Sequence, residues 1–206
     1  MKPYWEENGI SIYHGDCLDI APELTADCMV TDPPYGMKFQ SGWKKSSRVA
    51  GDQTTTARDK ALGLWGDKPA FVFGRWSVPR PAGTRMLLIW NKGDWPGMGD
   101  LKSPWGPSTE EIYVIGRGFI GKRSGQIIHD PKRPNGNSFH PTEKPQGLMR
   151  KLIESCPPHW VIIDPFMGSG STLVACRDLG RKCIGIEMEA KYCDIAIKRL
   201  EWKGAA

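Results

Sequence analysis

The chain has 206 residues, 39% of them hydrophobic, a mean hydropathy of -0.43, a formal net charge of +5 and a pI of about 8.9. That length suits a single α/β domain over residues 1–206 with a sizeable core. No apolar run approaches the ~20 residues of a membrane span, and Met1-Lys2-Pro3-Tyr4-Trp5-Glu6-Glu7 lacks the apolar centre of a signal peptide, so a cytoplasmic protein with no membrane role is expected.

In chain order, residues 10–14 (Ile-Ser-Ile-Tyr-His) alternate like a strand and end at Gly15-Asp16. Residues 26–31 form a second strand. Residues 36–66 are rich in Gly, Ser, Thr and Lys, and a polar connection of that length reads as a functional loop. Phe71-Val72-Phe73, Met86-Leu87-Leu88-Ile89-Trp90 and Glu111-Ile112-Tyr113-Val114-Ile115 are further strands. Residues 91–108 show little regular structure. Pro145 suits the first turn of a helix that continues through Leu148, Leu152 and Ile153. Trp160-Val161-Ile162-Ile163 is a buried strand ending at Asp164. A helix starts near Ser169 and stops at Gly180, and Cys183-Ile184-Gly185-Ile186 is a strand ending at Glu187. Met188, Tyr192, Ile195, Ala196 and Leu200 then mark the apolar stripe of a last helix. Strands alternating with helices predict an α/β fold, doubly wound, with a mostly parallel sheet. The six cysteines have no zinc spacing, so they read as buried thiols and no metal is expected.

Three segments carry chemistry. The first is Asp32-Pro33-Pro34-Tyr35, which closes the apolar run Cys28-Met29-Val30-Thr31. Proline has no N–H and cannot donate to a sheet ladder, and the residue before a proline is pushed to extended geometry. The result is a rigid hook that presents a carboxylate and backbone carbonyls beside an aromatic ring. Such a hook seats a planar group bearing an N–H₂, such as a nucleobase amine.

The second segment, Asp164-Pro165-Phe166-Met167-Gly168-Ser169-Gly170-Ser171-Thr172, lies between a strand and a helix. Gly168 and Gly170 allow close approach to the backbone, and the helix start offers unpaired N–H groups. Glu187, at the end of the next strand, is placed to accept from two ribose hydroxyls. A glycine turn followed by an acid also holds NAD, but Leu173 stands where the third glycine of that pattern belongs. Taken alone, Gly-Ser-Gly is equally an ordinary tight turn. The third segment, His140-Pro141-Thr142-Glu143-Lys144-Pro145, precedes a helix, where Thr142 and Lys144 can meet a carboxylate; by itself it also reads as a capped, solvated turn.

Basic residues gather in two stretches, Lys38, Lys44, Lys45 and Arg48 in one, and Arg117, Lys122, Arg123, Lys132 and Arg133 in the other. Both carry Gly and Ser, and read as loops facing a polyanion.

The three segments, in this order, resemble a β-class DNA amino-methyltransferase. The resemblance covers residues 10 to 200 and implies a Rossmann-like fold with a circularly permuted motif order. It implies S-adenosylmethionine as cofactor, DNA as partner, and a setting in DNA methylation that includes restriction–modification. Catalysis then falls to Asp32, Pro33, Pro34 and Tyr35. Asp16, Asp164, Phe166, Gly168, Gly170 and Glu187 fall to the cofactor, with Thr142, Lys144 and Ser171 toward its methionine end. Lys38, Lys44, Lys45, Arg48, Lys122, Arg123, Lys132 and Arg133 fall to DNA. Glu110-Glu111-Ile112-Tyr113-Val114 resembles the strand beside the target-base pocket. The loop at 37–66 is implied to be mobile and to close over DNA. Residues 117–139 leave only a reduced target-recognition segment, which makes a homodimer attractive. Adenine N6 is the favoured target. Cytosine N4, RNA, a protein glutamine amide, or an inactive DNA-binding relative are the alternatives.

Overall fold

The computed structural model describes residues 1–34, 55–93, 102–131 and 143–202. Along the chain run β1 (Trp5–Glu7), β2 (Ile10–His14), α1 (Cys17–Ile20), β3 (Cys28–Thr31), α2 (Thr56–Trp65), β4 (Ala70–Gly74), β5 (Thr84–Asn91), β6 (Thr109–Ile115), β7 (Ile127–His129), α3 (Gln146–Glu154), β8 (Ile162–Asp164), α4 (Ser171–Asp178), β9 (Cys183–Glu187) and α5 (Ala190–Glu201). Among the described residues the strands form one sheet in the order β1-β2-β9-β8-β3-β4-β6-β5-β7. It is mostly parallel, with β1 and β6 running against their neighbours.

Strand alternation splits the core in two. Cys28, Val30, Phe71, Phe73 and Ile162 face one side, where α3, α4 and α5 bring Leu148, Leu152, Leu173, Ala175, Cys193 and Ala196. Met29, Ala70, Val72, Ile163 and Ile186 face the other, where α1 and α2 bring Cys17, Ile20, Ala61 and Trp65. Period-2 side chains on central strands thus feed both layers, and the sheet is doubly wound as expected. All six cysteines are buried free thiols.

Four features depart from the sequence reading. The loop expected over 37–66 does not run that far, because Thr56–Trp65 is a helix. Residues 35–54 lie outside the described residues. Two short strands escape a periodicity reading. These are β1 and β7, the latter inside the 117–139 segment. Pro145 is the N-cap of α3 rather than a first-turn residue, with φ -61° and ψ 139°. Finally, α4 starts at Ser171, because Gly170 before it is left-handed at φ 83°.

Candidate active site

Strands β2, β9, β8 and β3 are adjacent and parallel, so their C-terminal ends share one edge. In spatial order that edge carries Gly15-Asp16, Glu187, Asp164 and Asp32. Acids that end strands far apart in sequence become neighbours because parallel pairing aligns the ends. The carboxyl ends of the strands of a doubly wound sheet are where such folds bind ligands.

The hook begins where β3 stops. Pro33 is buried and Pro34 half-buried. The Asp32 side chain is 29% exposed, and its Oδ2 lies 2.7 Å from Lys144 Nζ. The same ammonium lies 3.0 Å from Glu110 Oε2, while Lys92 Nζ lies 2.7 Å from Glu110 Oε1. Burial pushes the Asp32 pKa up, Lys144 pulls it back and Glu110 adds to the rise; the net direction is up. For Lys144, burial works against the charge, but Asp32 and Glu110 outweigh it and the pKa ends above the ordinary lysine value. Glu110 ends below the ordinary carboxylate value: burial opposes its charge, and Lys144 and Lys92 together prevail.

Asp164 works inside the protein. It is 3% exposed. Thr31 Oγ1 donates to its Oδ1 at 2.8 Å, Phe166 N–H to the same oxygen at 3.1 Å, and Thr172 Oγ1 to Oδ2 at 2.5 Å. These contacts join the end of β3, the turn after β8 and the first turn of α4. Burial raises its pKa to about 6, against the pull of its donors.

The glycine turn lies next to Glu187. Gly168 N–H donates to Glu187 Oε2 at 3.0 Å, and Glu189 N–H donates to Oε1 at 2.8 Å. Burial moves the Glu187 pKa up, with these backbone donors opposing. A Cβ on Gly168, at φ +50°, would point into open space. A Cβ on Gly170, at φ +83°, would meet Ala196 Cβ at 2.8 Å. One glycine therefore leaves room beside the acid and the other permits close packing on α5. Phe166 is half-buried and Ser171 buried at the start of α4. On the far side of Glu187, its backbone carbonyl accepts from Gly15 N–H at 2.9 Å. Asp16 next to it caps α1 through Leu18 N–H at 2.9 Å.

The structure thus brings together Asp16, Asp32, Asp164, Phe166, Gly168, Gly170, Ser171 and Glu187. Lys144, read from sequence for the methionine end of a cofactor, has its ammonium on Asp32 and Glu110. Lys122 and Arg123 are exposed, but they follow β6, whose last residue pairs with the first residue of β4, at the edge opposite the hook. Tyr35, Lys38, Lys44, Lys45, Arg48, Lys132, Arg133 and Thr142 lie outside the described residues.

Sequence reasoning gave no role to Lys92, nor to Arg199. Arg199 Nη1 donates to Ser169 O at 2.6 Å and Oγ at 3.0 Å, and Nη2 pairs with Glu143. It clamps the glycine turn to the segment that carries Lys144. Neither role is visible locally, because each depends on which elements pair across the sheet.

The DNA methylase family matches residues 55–198. The type II methyltransferase M.ScaI of Streptomyces caespitosus is 26% identical over 259 residues, covering 97% of this chain and 84% of that protein. Among solved structures, the M1.HpyAVI–SAM complex aligns with a TM-score of 0.70 at 25% identity over 94% of this chain and 100% of that one. The cytosine-N4-specific PvuII DNA methyltransferase aligns at 0.71 over 100% and 91%, but at 16% identity that likeness speaks for the fold alone. With the acids, the hook and the glycine turn on one sheet edge and the family match covering more than half of its length, the chain belongs to the DNA methylase family.

Proposed function

We propose that this chain transfers the methyl group of S-adenosylmethionine to the N6 amine of adenine in DNA, on a base turned out of the duplex. The observation that carries the reading is the Asp32 carboxylate at the sheet edge, already holding an N–H donor at 2.7 Å, one strand away from the glycine turn.

The residues fit the cofactor. The open space at Gly168 admits a ligand close to the backbone. Glu187 offers each ribose hydroxyl a carboxylate oxygen with a second lone pair to spare. Phe166, Asp16 and Ser171 line the same edge. Asp164 contributes by fixing the turn through its three donors. When bound, the cofactor supplies an electrophilic methyl group on a sulfonium.

The rest belongs to the protein. The amine of adenine is a weak nucleophile because its lone pair is delocalised into the ring. Asp32 and the Pro33 carbonyl accept its two N–H bonds and draw the nitrogen toward tetrahedral geometry. The same acceptors stabilise the positive charge that develops on it, and preorganised groups of this kind contribute about 3–4 kcal/mol each. Tyr35 stacks on the base. Turning the base out costs a few kcal/mol, which phosphate contacts from Lys38, Lys44, Lys45, Arg48, Lys132 and Arg133 offset in a salt-dependent way.

The test is direct. The purified chain is incubated with unmethylated genomic DNA and labelled S-adenosylmethionine, and the digested nucleosides are separated. Label in N6-methyldeoxyadenosine is the expected result. Label in N4-methyldeoxycytidine would move the target to the cytosine amine, and label only in RNA or protein would reject DNA as substrate.

A further inference from the structure

Lys144 is buried where a charge is costly. Its side chain is 10% exposed, and the Phe73 ring lies 4.9 Å from Nζ. Its ammonium reaches two carboxylates, Asp32 Oδ2 at 2.7 Å and Glu110 Oε2 at 3.0 Å. An ammonium and a nucleobase amine have the same thing to offer a carboxylate, an N–H donor. Lys144 therefore fills an acceptor position that a target amine needs on Asp32.

Removing one partner of a buried ion pair is costly, because it leaves an unpaired charge. Glu110 relieves that cost. It holds the other side of the ammonium, and it is itself anchored by Lys92 at 2.7 Å. The four groups form a chain, Asp32–Lys144–Glu110–Lys92, in which the middle cation can release one end without losing both partners.

We propose that Lys144 is a placeholder in the amine seat: it covers Asp32 until a base enters, and Glu110 keeps its charge paired when the target amine takes Asp32 over. This rests on the amine-methylation reading above. Lys144 and Glu110 are positioning residues that act through Asp32. The exchange also selects the target. An amine replaces the donor that leaves Asp32, whereas a ring carbonyl in the same place presents an oxygen to the carboxylate and cannot displace Lys144.

The test is a double-variant cycle on the full chain, with Glu110→Gln, Lys144→Met and the pair combined, each assayed for methyl transfer to plasmid DNA. With Lys144 present, Glu110→Gln strands the ammonium on Asp32, and kcat/KM for DNA should fall about tenfold. With Lys144 already replaced, the same change should matter less than about twofold, because nothing needs handing over. A merely structural Glu110 would lower activity equally in both backgrounds, and that result overturns the proposal.

A second readout is the pH profile. Asp32 is faced by Lys144, Glu110, Lys92 and Asp164. Loss of the nearest cation should move the acid limb of kcat/KM to higher pH in Lys144→Met, and an unmoved limb counts against the contact. Should Lys144→Met fail to fold, Lys144→Gln takes its place in both measurements. If the unaltered chain transfers no methyl to any nucleic acid, the amine reading falls and takes this inference with it. An active chain with additive variants sinks the inference alone.

Discussion

Thr31 Oγ1 donates to Asp164 Oδ1 across 2.8 Å, which ties the residue before the hook to the residue before the glycine turn. The two motifs are far apart in sequence, yet one buried carboxylate sets their spacing. Its donors on β3 and α4 leave it little freedom, so Asp164 transmits any disorder in one motif to the other.

The same burial predicts a pH-dependent stability. The folded pKa of Asp164, about 6, lies above the reference value of 3.8. The native state thus binds the proton more tightly than the unfolded state. The stabilising contribution is fully present below the unfolded pKa and is lost as pH rises through the folded one. Relative to Asp164→Asn, the unfolding free energy of the unaltered chain should fall by about 1–2 kcal/mol between about pH 5 and about pH 7.5. Urea unfolding of both proteins across that range checks it.

Replacing Asp32 should separate chemistry from cofactor binding. Asp32→Ala removes a carboxylate aimed at the reacting amine, and kcat should drop by about 10²–10³. Glu187 and the glycine turn are untouched, so cofactor affinity measured by calorimetry should stay within about threefold. Full activity in Asp32→Ala would exclude the hook from catalysis.

Glu187→Ala should show the reverse order of effects. Hydrogen bonds to a charged acceptor contribute about 1.5–3 kcal/mol, so losing the ribose acceptor should weaken S-adenosylmethionine binding about 10–100-fold. Calorimetric titration with the cofactor, without DNA, reads this out directly. Unchanged affinity would remove Glu187 from the cofactor site.

The two glycines of the turn should separate stability from binding. Gly170→Ala adds a left-handed alanine whose Cβ meets Ala196 at 2.8 Å, at a cost of about 2–4 kcal/mol from strain and overpacking together. Gly168→Ala meets no neighbour, so only the backbone cost of about 1–2 kcal/mol applies. Thermal unfolding should place Gly170→Ala several degrees below Gly168→Ala. Cofactor titration should show the larger fractional loss in Gly168→Ala, because its methyl projects into the space the ligand needs.

The strand-terminal acids, the proline hook, the glycine turn and the family resemblance were legible in the order of residues alone. Each is a matter of nearest neighbours: a missing N–H, a permitted positive φ, a run of apolar residues. The sequence did not reveal α2, whose buried face, Arg58, Ala61 and Trp65, includes a charged residue while Leu64 is exposed. Nor did it show β1 and β7, three residues each, which are too short for a period to register. Where Lys144 points, how Lys92 reaches it through Glu110 and how Arg199 clamps the turn from α5 emerge only once the chain is folded. Those contacts follow from strand order and from which helix covers which face, and both are set by burial across the whole sheet rather than by local spacing.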